Sequence, residues 1–176
     1  LAFILSPVAL IIVLGYSYTK RFTPLCHLVL GLGLSLAPIG AYLAVTGSFA
    51  LLPLLYSFIV LTWVSGFDIT YSLQDDQFDR DTGLYSIPAV MSRGKALAIS
   101  VVLHLITAAL VVVAGVYGQA GFIYWTGAAI FTGLLVFQHM IVRPDDLSRV
   151  NLAFGTTNGI SGVIFGLAVV LDLLLL

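Results

Sequence analysis

Long apolar runs alternate with short polar breaks along this chain, at intervals that suit helices crossing a bilayer. A helix needs about 20 apolar residues to cross roughly 30 Å of hydrocarbon. Five runs meet that length: residues 25–46, 51–72, 96–117, 122–142 and 152–174. A sixth, residues 2–15, opens at Leu1 with no initiator methionine. At about 1.5 Å per residue it would reach only about 21 Å, so it reads as a shortened span. No basic segment precedes it and no small-residue cleavage site follows it, which argues against a signal peptide. The pattern predicts an all-α integral membrane helix bundle of five full spans and one truncated span. It forms a single transmembrane domain over residues 1–176 and is expected to lack N-terminal sequence.

The breaks carry helix punctuation. Thr23-Pro24 supplies a cap and a first-turn proline, and Gly47 and Gly118 close helices. Pro38, inside an apolar run, predicts a kink.

Composition agrees with the pattern: 60% of residues are hydrophobic, 9% are charged, and the mean hydropathy is +1.12. A water-soluble domain of this size is excluded. The seven basic residues fall in alternate breaks: Lys20 and Arg21 in the first, Arg80, Arg93 and Lys95 in the third, Arg143 and Arg149 in the fifth. All seven therefore share one face, which the positive-inside rule makes cytoplasmic and which suits a bacterial inner (plasma) membrane. The single cysteine, Cys26, rules out an internal disulfide. Cys26 and His27 have no second Cys/His pair at ligand spacing and read as residues of a helix start.

The acids are distributed very differently from the hydrocarbon. Five of the eight aspartates lie between Asp68 and Asp81, and there is no glutamate. If the helix of residues 51–72 continued past the membrane surface, Asp68, Asp75 and Asp79 would project at about 0°, −20° and +20° on one stripe. Asp76 and Asp81 would then flank it. Clustered carboxylates repel one another unless a cation joins them, and an all-oxygen ligand set suits Mg²⁺ shared with substrate phosphate oxygens. Arg80, Arg93, Lys95, Lys20 and Arg21, on the same face, would attract the same anion. A plain solvated loop is the alternative, but Phe67, Tyr71, Phe78, Tyr85, Ile87 and Pro88 make the segment unusually apolar for one and suit a lid over a cavity.

Residues 68–88, DITYSLQDDQFDRDTGLYSIP, resemble the second aspartate-rich motif of the UbiA superfamily of membrane prenyltransferases. The resemblance extends to Tyr18–Thr23, to Ala37-Pro38 through Gly47, and to Asn151–Phe154 with Thr157-Asn158-Gly159, closest to the branch containing 4-hydroxybenzoate polyprenyltransferase. It implies a nine-helix bundle binding a polyprenyl diphosphate through Mg²⁺. Asp75 and Asp79 are matched to the metal-binding pair and Asp68 and Tyr71 to the preceding D-x-x-Y; Arg21 with Lys20 is implied to contact diphosphate, and Arg80 either to do the same or to hold Asp76 or Asp81. The catalytic set implied is Asp75, Asp79 and Asp68. The family's first motif, N-D-x-x-D-x-x-x-D, has no counterpart in the sequence, so the isolated fragment is expected to be inactive.

The resemblance implies transfer of a polyprenyl group to an aromatic acid, 4-hydroxybenzoate for ubiquinone or a naphthoate for menaquinone. Membrane lipid is the expected surrounding, and nucleic acid is not an expected partner. A CDP-alcohol phosphotransferase would need an Asp-Gly-x-x-Ala-Arg sequence that is not present. A cation transporter would carry its acids near the bilayer midplane, whereas these cluster at one surface. His104, His139 and Asn158, within apolar runs, suit hydrogen bonding between helices.

Overall fold

The computed structural model describes residues 1–175, and these are helical with six helices long and apolar enough to span a membrane. The spans are α1 (Ala2–Thr19), α2 (Cys26–Thr46), α3 (Leu51–Tyr71), α6 (Arg93–Tyr117), α7 (Phe122–Ile141) and α8 (Asn158–Leu175). Two short helices, α4 (Asp76–Asp81) and α5 (Ile87–Val90), lie between α3 and α6.

The first span is longer than the apolar run suggests. Tyr16, Ser17, Tyr18 and Thr19 continue the helix to 18 residues, about 27 Å at 1.5 Å per residue. Counting apolar residues missed this because hydroxyl and phenol side chains at a membrane surface do not stop a helix. The chain turns only before Pro24.

The α3 helix is the hub, packed against α2 on one side and α6 on another. Its approach to α2 depends on Gly31, where an added Cβ would lie 2.5 Å from the Leu61 carbonyl oxygen. Small residues at such crossings let backbones meet without water. On the other side, Gly66 makes room for the His104 ring. His104 Nδ1 lies 2.8 Å from His139 Nε2, and its Nε2 lies 3.2 Å from the Trp63 carbonyl oxygen. Hydroxyl pairs Thr62–Thr107 and Thr70–Ser100, at 2.8 and 2.9 Å, complete the α3–α6 seam. Polar groups within the bundle therefore bond to one another, as lipid requires. Large apolar side chains such as Phe3, Val45 and Phe122 point outward instead.

At the end away from the basic residues, α8 caps α7. Asp172 accepts from the Gly121 N–H at 2.7 Å and from the Tyr124 N–H at 3.1 Å, which satisfies the free amides of the α7 N-terminus from a neighbouring helix.

At the basic end an apolar cluster of Ile69, Leu73, Ile87, Ala96, Leu97, Val142, Val150 and Ala153 ties the segment after α3 to the bundle. That cluster makes α4 and α5 a fitted cap rather than a loose loop. Before α8 the chain passes through a π-helical turn, Leu152–Thr157, beside α3.

Candidate functional site

The acidic segment does not prolong α3. The α-helix ends at Tyr71, a 3₁₀ turn spans Ser72–Gln74, and α4 begins after Asp75. The expected stripe of Asp68, Asp75 and Asp79 assumed an unbroken helix, and the tighter turn changes the rotation of everything beyond it. Two reasons are visible. Leu73 is fully buried in the apolar cluster, and Asp76 is pulled inward by arginines.

The result divides the carboxylates. Asp68 and Asp75 line a cavity of about 300 Å³ at the basic end of the bundle, with Lys20, His27, Tyr71 and Ser72 among its other walls. Asp75 is exposed and enters no ion pair among the described residues. Tyr71 stacks on Phe154 of the π-helical turn, with ring centroids 4.0 Å apart.

Asp76 and Asp79 lie beneath the cap. Asp76 is 1% exposed and accepts from Arg93 Nε at 2.9 Å, from Arg93 Nη2 at 3.0 Å and from Arg80 Nη2. The bonds from Arg93, above all, hold its carboxyl below the usual carboxylate range. Asp79, wholly buried, accepts from Ser86 Oγ at 2.7 Å through Oδ2. Its Oδ1 lies 2.8 Å from Lys20 Nζ, an ion pair.

Asp75 and Asp79 remain one turn apart, joined by the Asp79 N–H to Asp75 carbonyl bond at 2.8 Å. Their carboxylates nonetheless have different company. Asp75 is on the cavity; Asp79 meets it only through Lys20, which lines the cavity and pairs with Asp79.

The remaining basic candidates sit outside the cavity wall. Arg80 braces the cap through Asp76 and the Pro88 carbonyl oxygen. Arg21 is exposed, its guanidinium 5.6 Å from the centre of the Tyr18 ring. Asp81 accepts from Gln77 at the surface.

The sequence reading passed over His27, read there as part of a helix start. It is 2% exposed, its Nδ1 lies 2.6 Å from Asp68 Oδ2, and its Nε2 accepts the Ile87 N–H at 3.3 Å. The partners are 41 and 60 residues away, so no local spacing links them. The only sequence cue was an ionisable ring in the first turn of an apolar helix beside a basic break.

Both the sequence and the fold have counterparts among known proteins. The sequence matches the UbiA prenyltransferase family over residues 1–168. This chain belongs to that family. It is 30% identical over 173 residues to the 4-hydroxybenzoate octaprenyltransferase of Nitrosospira multiformis, covering 97% of this chain and 58% of that one. The enzyme of the same name from Nitrosomonas eutropha is 28% identical over 175 residues, 99% of this chain and 60% of the other. Among solved structures, the apo structure of a UbiA homolog from Aeropyrum pernix K1 superposes with a TM-score of 0.85 at 32% identity, covering 97% of this chain and 63% of that one. The chain spans about three fifths of the length of these relatives. It is an integral membrane protein of the UbiA family, and Asp68, Tyr71, Ser72 and Asp75 of its acidic segment line a cavity at the basic end.

Proposed function

We propose that this UbiA-family bundle takes part in Mg²⁺-dependent transfer of a polyprenyl group from polyprenyl diphosphate to 4-hydroxybenzoate, at a site open to the cytoplasm of a bacterial inner membrane. One observation carries the reading: two carboxylates, a lysine and a tyrosine converge on a single cavity at the basic end of an apolar bundle. The positive-inside rule makes that end cytoplasmic.

The residues present fit a magnesium ion. Every candidate ligand is a carboxylate oxygen, Asp75 enters no ion pair among the described residues, and Asp79 Oδ1, one turn away, is held by Lys20 Nζ at 2.8 Å. Asp75 would hold the ion, with Asp68 on the same cavity, and Asp79, one turn away, would join it only once Lys20 leaves its carboxylate. When bound, it would supply Lewis-acid stabilisation of the departing diphosphate.

The chain's own residues do the rest. Lys20, which pairs with Asp79, would turn to the diphosphate. The reaction then breaks the allylic C–O bond, the electron pair leaving with the diphosphate. A carbon of the electron-rich ring bonds to the allylic carbon, and the ring proton departs. Tyr71, backed by Phe154, offers an aromatic wall that excludes water from the cation.

From this end an aromatic seam runs into the bundle: Phe154 to Phe67 at 5.5 Å, Phe67 to Trp63 at 5.6 Å. Trp63 also lines an apolar cavity of about 330 Å³ between α3 and α8, a suitable surrounding for the prenyl chain. Arg21 and Arg80, outside the wall, would act on the diphosphate only from a distance.

The test is an assay of this chain in lipid nanodiscs, alone and supplied with the family's N-terminal aspartate-motif helices, using polyprenyl diphosphate, Mg²⁺ and either 4-hydroxybenzoate or a naphthoate. Metal-dependent prenylation of the benzoate by the supplemented chain is expected, and none by the chain alone. Turnover of the naphthoate alone would reassign the acceptor, and no turnover of either would overturn the reading.

A further inference from the structure

We propose that His27 is a positioning residue that turns Asp68 toward the cavity; the proposal rests on the reading of the site just given. Two contacts fix the ring and a third fixes its backbone. The His27 carbonyl accepts from Ser65 Oγ at 3.2 Å, which pins the first turn of α2 to α3. Its Nε2 accepts the Ile87 N–H at 3.3 Å. An amide is a donor only, so this nitrogen is the bare one, and in the neutral ring the proton sits on Nδ1. Nδ1 therefore donates to Asp68 Oδ2, 2.6 Å away.

The consequence concerns the other carboxylate oxygen. With Oδ2 engaged, Oδ1 is the atom that Asp68 offers to the cavity, and the carboxylate plane cannot rotate without breaking the bond from His27. A single buried ring thus joins α2, α3 and the first residue of α5, and ties the direction of Asp68 to the position of Ile87. Groups that hydrogen-bond a metal's ligands from outside typically govern affinity about 10- to 100-fold.

The bland alternative is a buried histidine that only anchors the Ile87 amide. Two near-isosteres separate the roles. In His27→Asn the side-chain amide replaces Nδ1 and can donate to Asp68, but nothing reaches Ile87. His27→Gln places its carbonyl near Nε2 and can accept from Ile87, but leaves Asp68 unheld.

Binding of Mg²⁺ with inorganic pyrophosphate to the chain in nanodiscs is the readout, with thermal unfolding of each variant alongside. The expected result is affinity within about threefold of the unmodified chain for His27→Asn and a loss of about 10- to 100-fold for His27→Gln. The reverse order, or His27→Gln binding as well as the unmodified chain, would overturn the proposal while leaving the site reading in place. A second comparison stands apart from the Ile87 contact: in an Asp68→Asn background, His27→Gln should cause no further loss. Additive losses would contradict action through Asp68. No binding by the unmodified chain would overturn the site reading itself, and the proposal with it.

Discussion

Two pairs of aspartates from residues 68–79 differ almost completely in their surroundings. Asp68 and Asp75 stand on the cavity wall, and Asp75 enters no ion pair among the described residues. Asp76 and Asp79 lie under the cap, buried and engaged by Arg80, Arg93, Lys20 and Ser86. Adjacent residues, Asp75 and Asp76, end on opposite sides of this division. The lesson is that a carboxylate's chemistry follows from which partners the backbone leaves free, and here one 3₁₀ turn makes that choice.

The strongest way to break the comparison is to neutralise the neighbours one at a time. Asp76→Asn removes the charge that two guanidinium groups pair with and turns one of its two buried acceptor oxygens into a donor, and should cost about 2–3 kcal/mol of stability. Asp75→Asn should change stability by less than about 0.5 kcal/mol. Unfolding in mixed micelles measures both, and equal costs would erase the distinction between wall and cap.

Asp172 provides a control from the far end of the bundle. Asp172→Ala removes both acceptors that cap α7 and should cost about 1–2 kcal/mol without altering diphosphate binding. A binding loss of tenfold would mean that the two ends are coupled.

Acid sharpens the same contrast more gently. The folded Asp76 carboxyl lies below its ordinary value, so its contribution is complete above the unfolded value of about 3.9 and is lost as pH falls through the folded value. The stability gap between the unmodified chain and Asp76→Asn should therefore be constant from about pH 5 to 8 and shrink below about pH 4. A gap that already narrows between pH 7 and 6 would point to another group.

The smallest effect belongs to Arg21. Its stacking on Tyr18 is exposed, so Arg21→Ala should cost under about 1 kcal/mol. Its distance from the cavity wall also predicts a change in pyrophosphate binding of less than about threefold.

What the sequence made legible follows from the range of each interaction. Five spans, the shared basic face and the acidic segment's closeness to a membrane surface are written in runs of roughly 20 residues and in alternate breaks. Asp68, Asp75, Lys20 and Tyr71 on one cavity wall were also within reach, because charge and motif spacing both pointed to them. The division between Asp75 and Asp76 was not. It depends on Leu73 seeking the apolar cluster and on Arg93, 17 residues from Asp76, reaching back across the cap. Projection along an ideal helix has no knowledge of either. His27 was hidden for the same reason, since its partners come from α3 and from the segment at Ile87. The extension of α1 to Thr19 escaped because Tyr16, Ser17, Tyr18 and Thr19 are amphipathic, suited to a helix end at the headgroups yet invisible to a count of apolar residues.

The central claim is that the open carboxylate of Asp75 holds a metal-bridged diphosphate at the basic end of the bundle. Calorimetric titration of geranyl diphosphate into the chain in nanodiscs, with and without Mg²⁺, tests it directly when repeated on Asp75→Asn. Binding that requires Mg²⁺ and weakens at least 100-fold in the variant is the predicted result. Binding that persists without the metal, or that survives in Asp75→Asn, would contradict it.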